Sequence, residues 1–169
     1  MQGFLAPIAV HRTGDYDKDG RAIWELTRPL FYYSASLKTW LVFPVRFKTN
    51  YASVPRMPLV YWYCGDRVYE EAAGHDFIYT VHGIWTVTID NETGLITDEA
   101  VFRKLTRQEG DDLFLEMLLL NPTIPEGMAH TMHKAVSWFG QSSWDDETNI
   151  VQAPEILALE PPKCEPAWG

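Results

Sequence analysis

The side chains best suited to chemistry lie within residues 47–79, FKTNYASVPRMPLVYWYCGDRVYEEAAGHDFIY, where polar residues interrupt an apolar stretch. At its centre is the pair His75-Asp76, which follows three small residues at 72–74. Consecutive residues on a helix diverge by about 100°, so the two side chains cannot both point into a deep core. We therefore expect the pair at the rim of a groove, where the small residues let a neighbouring backbone approach closely.

Chemistry at this pair needs further polar groups, which the preceding loop and the next helix supply. We predict that Asp111 converges on His75 and Asp76, with Ser53 and Arg56 within reach. These residues fit a hydrolytic site of either of two kinds. In one, a single divalent metal ion binds to His75, Asp76 and Asp111 and activates a water molecule. In the other, the same residues form a metal-free acid/base cluster.

A structural interpretation competes with both kinds of site, because buried polar groups need hydrogen-bond partners whatever the function. In this interpretation the hydroxyl group of Thr49 or Ser53 donates to Asp76. Arg56 pairs with Asp111, and the histidine is a core residue with satisfied ring nitrogens. The cluster is then a latch that holds the fold together.

Three other polar patterns carry less chemistry. Residues 15–20, DYDKDG, imitate the start of an EF-hand calcium loop, but Leu26 stands where a bidentate Glu is required, so we expect a solvated hairpin turn. His130 and His133 have the i, i+3 spacing of helical metal ligands, yet no third ligand is in view, so we expect them to be solvated. His82 fits the last turn of a helix, where a histidine favours the carbonyl end of the helix dipole.

Composition limits the class of protein. A chain of 169 residues with 46% hydrophobic residues can bury one sizeable core. A net charge of −9 without a cluster of Lys or Arg argues against a nucleic-acid partner. No apolar run approaches the roughly 20 residues that span a membrane, and the N-terminus lacks the features of a signal peptide. We therefore expect a soluble protein, with Cys64 and Cys164 as reduced thiols in a cytoplasm.

The expected elements define an α+β fold. Short apolar runs in the first forty-five residues predict a small antiparallel sheet. Three helices are predicted near 67–82, 107–120 and 125–139, and an exposed β-hairpin at 84–96 is inserted between the first two. Local signals indicate the helix boundaries: capping boxes start at Thr106 and Thr123, and Gly83 is the expected left-handed residue after the first helix. Arg107 lies one turn from Asp111, so we expect an ion pair between them on the surface.

Composition changes after Trp144, where four prolines and several acidic residues replace any helical or strand period. We predict one domain over residues 1–144 and a Pro-rich acidic C-terminal arm over 145–169. The arm carries more apolar residues than a solvating tail needs, so we expect residues 146–169 to dock on the protein's own domain or on a neighbour. The apolar residues are Ile150, Val151, Ile156, Leu157, Leu159 and Trp168.

Three segments resemble a family of small phage and prophage proteins, domain of unknown function family 1353. Residues 47–56 match its pattern G-F-x-T-D-x-A-S-V-P-R, residues 72–79 match A-A-x-x-H-D-x-x-Y, and residues 107–117 match R-x-x-A-D-x-x-F-x-x-x-M. Asn50 stands where the pattern has Asp, and Gly110 where it has Ala. The first difference removes a charge, so a role that needs three carboxylates is doubtful here. The resemblance covers about residues 40–144 and implies origin and site position rather than a reaction.

Two functions are therefore expected. One is a phage hydrolase associated with the tail or with lysis, which uses the His/Asp site with or without one divalent metal ion. The other is a non-enzymatic virion or tail component that docks on other phage proteins, or on copies of itself, through residues 146–169. In either case the protein is made in the host cytoplasm, and the second function places it in the virion.

Overall fold

The spacing of apolar residues accounts for the elements: apolar and polar residues alternate in the first part of the chain, as in strands, and apolar residues recur with helical spacing later. The computed structural model describes residues 3–51, 67–90 and 96–146. Ser53, Arg56 and Cys64, the hairpin turn at 91–95, and the arm beyond residue 146 lie outside the described residues. The elements within them are β1 (Gly3–Phe4), β2 (Val10–Tyr16), β3 (Ala22–Leu26), β4 (Leu30–Ser34), β5 (Thr39–Phe43), β6 (Lys48–Thr49), α1 (Tyr69–Val81), β7 (Gly83–Val87), β8 (Val101–Lys104), α2 (Arg107–Leu120), α3 (Glu126–Phe139) and α4 (Gln141–Trp144).

The strands form two antiparallel sheets, so the predicted α+β class is confirmed. One sheet has the order β1-β4-β5-β7-β8, and the other has the order β2-β3-β6. Strand β5 is buried on both faces, because Leu41 and Phe43 join the main core while Trp40 and Val42 join a second cluster. The three predicted long helices are present, together with the short α4.

Helix α1 is buried nearly all round, with nine of its thirteen residues inside the protein. Phe77 packs edge to face against two rings of the N-terminal half, Phe43 at 5.8 Å and Phe47 at 5.1 Å between centroids. Gly74 lets other side chains come close, since a Cβ there would lie 3.0 Å from the Phe43 ring and 3.3 Å from the Met117 sulfur. Close packing is therefore present at Gly74, but it comes from the side chains of Phe43 and Met117, whereas the sequence predicts the approach of a neighbouring backbone.

The predicted exposed hairpin at 84–96 is only partly correct. Ile89 pairs with Ile96, so the two arms of the hairpin do meet. However, β7 lies between β5 and β8 in the larger sheet, and Ile84 and Val87 are buried. Deleting the hairpin would therefore remove an interior strand of the larger sheet. The fold would tolerate the deletion only if the hairpin protruded.

The end of α1 also differs from the prediction. His82, and not Gly83, takes the left-handed conformation after the helix, with φ 52° and ψ 42°. Gly83 is needed for a different reason: an added Cβ would lie 2.6 Å from the Arg103 carbonyl oxygen and press against the Phe102 ring. The close approach of β8 therefore requires glycine at position 83, and His82 adopts the left-handed backbone conformation that ends the helix.

One of the two predicted capping boxes is present. At the start of α2, Thr106 and Glu109 form both reciprocal hydrogen bonds of the box. Helix α3 begins after Pro125 without a side-chain cap, so the box predicted from Thr123 is wrong. The Thr123 hydroxyl and amide instead donate to Asn121 Oδ1, in the turn between α2 and α3.

The segment at 15–20 ends β2 and forms the hairpin turn predicted for it. Asp17 Oδ1 accepts hydrogen bonds from the backbone amides of Asp19 and Arg21, as in a local turn. Asp17 Oδ2 accepts from the amide group of Asn50 at 2.7 Å. The turn is thereby fixed to the loop that follows β6.

In the part of the chain that the structure describes, no helix is both long enough and apolar enough to cross a lipid bilayer.

The role of Gly83 can be tested by Gly83→Ala. The added methyl group must displace a ring and a backbone carbonyl, so we expect the free energy of unfolding to fall by about 1–3 kcal/mol. Gly127→Ala is the matched control, because nothing lies within 4 Å of a Cβ there and the position is helical. It should be neutral or stabilising. Equal effects of the two substitutions in urea unfolding would contradict this account of Gly83.

Candidate functional site

The polar cluster is centred on Asp111, whereas the sequence predicts a centre at the pair His75-Asp76. His75 Nε2 lies 3.2 Å from Asp111 Oδ1, and the Tyr79 hydroxyl group donates to the same oxygen at 2.6 Å. Arg107 Nη1 donates to Asp111 Oδ2 at 3.1 Å. His75 and Asp111 are each only 2% exposed. His75 and Asp111 therefore meet as predicted, but the prediction that His75 lies at the rim of a groove is wrong, because both side chains are inside the protein.

Helical spacing places these four side chains. His75 and Tyr79 lie one turn apart on α1, and Arg107 and Asp111 lie one turn apart on α2, so each helix presents two groups to the junction. Gly110 lets the helices come close, because a Cβ there would meet the Ile78 side chain at 2.8 Å. The difference from the family pattern at Gly110 therefore concerns packing between α1 and α2.

Two aromatic rings pack against the His75 imidazole, that of Tyr79 on α1 and that of Phe114 on α2. Its centroid is 4.2 Å from that of Tyr79 and 4.6 Å from that of Phe114. Tyr79 in turn packs edge to face against Trp144 at 5.1 Å. The histidine is thus packed as a core residue as well as hydrogen-bonded.

The charges of the cluster are matched. Burial alone would raise the pKa of Asp111, but hydrogen bonds from His75 and Tyr79 and the charge of Arg107 bring that pKa below its usual value. Burial and the contact with Asp111 raise the pKa of Tyr79, so its hydroxyl group remains a donor. Asp111 is therefore an ionised acceptor, and His75 Nε2 carries the proton that faces it.

Arg107 connects the cluster to a third helix. Its Nη1 also donates to the Ser137 carbonyl oxygen on α3 at 3.1 Å. The expectation of a surface pair between Arg107 and Asp111 is wrong, because the carboxylate is buried even though the arginine is partly exposed. The cluster therefore joins α1, α2 and α3.

Asp76 faces Thr49, the last residue of β6. Its Oδ2 accepts a hydrogen bond from the Thr49 hydroxyl group at 2.6 Å, and the Thr49 oxygen accepts one from the Tyr51 amide at 3.0 Å. Asp76 is half-buried, whereas its neighbour His75 is inside. The hydrogen bond from Thr49 that the structural interpretation predicts is present, and so is the divergence of the two side chains.

The predicted metal ligands can be compared with this geometry. Within residues 3–51, 67–90 and 96–146, no three His, Cys, Asp or Glu side chains are close enough to share a metal ion. Asp76 therefore does not complete a three-ligand group with His75 and Asp111 there. A metal ion on this set stays a prediction, as do the roles of Ser53 and Arg56.

Three other histidines, His82, His130 and His133, each lie close to an oxygen atom of another residue. His82 Nε2 lies 2.9 Å from the Trp144 carbonyl oxygen, and the two rings stack at 4.0 Å, so His82 is the helix-terminal residue that the sequence predicts. His130 is exposed beside Glu126, as predicted. The prediction that His133 is solvated is wrong: its Nε2 is buried, lies 3.3 Å from Asp112 Oδ1 and makes no hydrogen bond.

Tyr79 is a site residue that the sequence reasoning missed. Its signal was available, because it lies one helical turn after His75 in the matched segment 72–79. Two acids were also missed: Glu71 on α1, which is buried, and Glu116 on α2, which is half-buried. Their neighbours in the sequence are mostly apolar, and apolar neighbours do not indicate which distant group donates a hydrogen bond to the carboxylate.

Glu116 holds the turn between β4 and β5. Its Oε1 accepts from the Tyr32 hydroxyl group at 3.0 Å and from the Ala35 amide at 2.9 Å, and its Oε2 accepts from the Ser36 amide at 3.2 Å. Burial would raise the pKa of Glu116, but these hydrogen bonds bring it below its usual value. Glu116 is therefore an ionised side chain whose hydrogen bonds join α2 to β4 and to the turn that follows it.

Glu71 is in a less favourable environment. It is 3% exposed, and its Oε1 accepts a hydrogen bond from the Asn121 amide group at 3.0 Å. Its Oε2 is buried without a hydrogen-bond partner. Burial raises the pKa of Glu71 to about 7, with a smaller contribution from neighbouring Glu70.

The importance of the charge on Asp111 can be tested by Asp111→Asn. This change leaves Arg107 facing an amide inside the protein, so we expect a loss of about 3–5 kcal/mol in the free energy of unfolding. Asp112→Asn is the control, because Asp112 is adjacent in sequence and its side chain is 59% exposed. That variant should stay within about 0.5 kcal/mol of the wild type in urea unfolding. A loss at position 111 no larger than at position 112 would contradict a central role for the cluster.

Glu71 should make stability depend on pH. Its pKa in the folded protein, about 7, lies above the ordinary value of 4.5. The stabilisation is therefore complete below pH 4.5 and is lost as the pH rises through 7. Glu71→Gln removes this loss, so relative to the wild type the variant should gain on the order of 2–3 kcal/mol between pH 5 and pH 8.

Urea unfolding at several pH values measures this gain. Glu126→Gln is the control, since the Glu126 side chain is 81% exposed, and its curve should run parallel to that of the wild type. A Glu71→Gln curve that also runs parallel to the wild type would refute the assignment of a raised pKa.

Comparison with known proteins gives a family without an activity. The chain matches the family described as "Protein of unknown function (DUF1353)" over residues 24–136. No curated protein and no solved structure matches the chain. The matched residues contain the whole Asp111 cluster and both partners of the Thr49–Asp76 hydrogen bond. Because the match spans more than half of the sequence, the chain belongs to domain of unknown function family 1353.

Proposed function

We propose that the protein is a non-enzymatic component of a larger assembly, which it joins through exposed apolar surface on α3 and through its C-terminal arm. The observation that carries this proposal is the adjacent pair Trp138 and Phe139, which are 74% and 72% exposed at the end of α3. Exposed apolar residues that occur singly are ordinary. Two adjacent aromatic side chains are the kind of anchor that protein interfaces bury.

The polar cluster supports an internal role for the family motif. A general base must come within hydrogen-bond reach of its substrate. His75 is 2% exposed, and both oxygens of Asp111 already accept hydrogen bonds. The cluster therefore acts as the latch of the fold, and the surface is left to perform the function.

The partner class follows from the resemblance to phage and prophage proteins. We propose that the partners are subunits of a phage particle, such as those of its tail, or further copies of this chain. The protein is then made in the host cytoplasm and carried into the virion. Its net charge of −9 keeps the free subunit soluble in spite of the exposed rings.

A hydrolase remains the second candidate, and one observation favours it. An imidazole oriented by a buried carboxylate is the arrangement that general bases use, and His75 with Asp111 has that arrangement. Such a reaction requires the cluster to open to substrate. Metal-assisted hydrolysis requires in addition ligands that lie outside the described residues.

Assembly can be tested with the double variant Trp138→Ser/Phe139→Ser in the full-length chain. Loss of aromatic anchors typically weakens an interface by about 2 kcal/mol or more, so we expect co-sedimentation with particles to fall at least about tenfold. Val101→Ser is the control, because Val101 is 62% exposed on β8. The measurement is the amount of each protein that co-sediments with particles produced in the same cells.

Two results would overturn the proposal. One is that wild-type protein remains in the unsedimented fraction. The other is that the double variant sediments as well as the wild type while the unfolding temperatures of both are equal.

A further inference from the structure

We infer that residues 141–146, which contain α4, form a lid over the Asp111 cluster, and that this lid opens while the rest of the protein stays folded. Trp144 is the side chain that closes it. The inference does not depend on assembly with a partner. It names the movement that the second candidate function, a hydrolase, requires before a substrate can reach the cluster.

The lid covers the cluster at Tyr79. The Trp144 ring packs edge to face against the Tyr79 ring, with 5.1 Å between centroids. It also lies beside Gly110, since a Cβ there would be 3.9 Å from the ring. Tyr79 donates a hydrogen bond to Asp111, and Gly110 precedes Asp111 in the chain. With Trp144 in place, Tyr79 is only 6% exposed.

Tyr79 connects the lid to the histidine. Its ring contacts both the Trp144 ring and the His75 imidazole, the latter with 4.2 Å between centroids. When Trp144 moves away, the Tyr79 ring loses a neighbour that packs against it and can adopt another rotamer. The space that the two rings leave then gives solvent and small ligands access to His75 and to Asp111 Oδ1.

The attachments of the lid lie near the surface. Helix α4 has four residues, none of which is buried, and it begins without a side-chain cap. Trp144 stacks on His82 at 4.0 Å, and its carbonyl oxygen accepts a hydrogen bond from His82 Nε2 at 2.9 Å. Asp146 lies 3.7 Å from the Lys18 ammonium group, but the Lys18 side chain is 82% exposed, so this ion pair contributes little. Segments with few buried contacts open at a lower free energy than the core does.

Gly140 is the hinge of the lid. It is the single residue between α3 and α4, and its amide donates to the Val136 carbonyl oxygen at 2.7 Å, so it stays with α3. Small residues at the ends of elements often absorb the backbone rotation of a hinge. Arg107 joins Asp111 to the Ser137 carbonyl group, on the α3 side of this hinge. Opening the lid therefore leaves the bonds between α2 and α3 in place.

Hydrogen exchange of the isolated full-length protein tests whether the lid opens by itself. The amides of Trp144 and Asp145 donate to carbonyl oxygens of Gly140 and Gln141, and a single helical turn is not stable once detached. These amides should exchange at least about a hundredfold faster than amides in the middle of α2, and low concentrations of urea should not change their rate. Equal protection of α4 and α2 would overturn the inference.

Trp144→Ala tests whether the lid controls access to the cluster. The measurement is the reaction of His75 with diethyl pyrocarbonate, followed by mass spectrometry. The rate should rise at least about tenfold, while exchange of the α2 amides stays within about threefold of the wild type. Trp144→Phe keeps an aromatic ring at this position and should restore the slow reaction. Ser142→Ala is the control, because Ser142 is exposed on the same short helix, and this variant should react like the wild type.

The lid is refuted if His75 reacts as slowly in Trp144→Ala as in the wild type, because another group would then close the cluster. It is also refuted if the α2 amides accelerate by the same factor as His75, or if Trp144→Ala does not fold, because Trp144 would then belong to the core. Neither measurement uses a particle or a substrate, so the outcome is independent of the co-sedimentation result.

Discussion

The buried carboxylate of Asp111 is the group on which the helical half of the protein depends. An ionised carboxylate inside a protein is strongly unfavourable unless charge and hydrogen bonds compensate it. Here the compensation comes from His75 and Tyr79 on α1 and from Arg107 on α2, and Arg107 also contacts the backbone of α3. Loss of any of these groups would leave charge or hydrogen-bonding capacity unmatched, so the three helices are specified together.

This arrangement explains why a helix so deeply buried can carry polar residues. Helix α1 lies between the large sheet and α2, and most of its side chains contact one or the other. Its polar groups are tolerated where a partner is built in: Asp111 for His75, Thr49 for Asp76 and Asn121 for Glu71. The third match is incomplete, because one Glu71 oxygen is unsatisfied. Burial of this carboxyl group therefore raises the pKa of Glu71 in spite of the hydrogen bond from Asn121.

Features set by local sequence could be predicted, and features set by distant contacts could not. The start of α2 follows from Thr106 and Glu109, which lie three positions apart, and the His75–Asp111 contact follows from two polar positions on adjacent apolar helices. The burial of β7 depends on pairing with β5, more than forty positions earlier in the chain. The left-handed conformation falls on His82, and the need for glycine at position 83 comes from the Phe102 ring and the Arg103 carbonyl group of β8, which are equally invisible to local reasoning.

The hydrogen bond from Asn50 to Asp17 has a consequence for evolution within the family. The amide group of Asn50 donates to a carboxylate of the β2–β3 turn. An aspartate at position 50, as in the family pattern, would set two negative groups against each other at this place. Positions 17 and 50 should therefore covary: relatives with aspartate at the second position need a neutral or basic residue at the first, or a turn of different length. In this chain the neutral amide group of Asn50 and the carboxylate of Asp17 form a compatible pair, which joins the turn to the loop after β6.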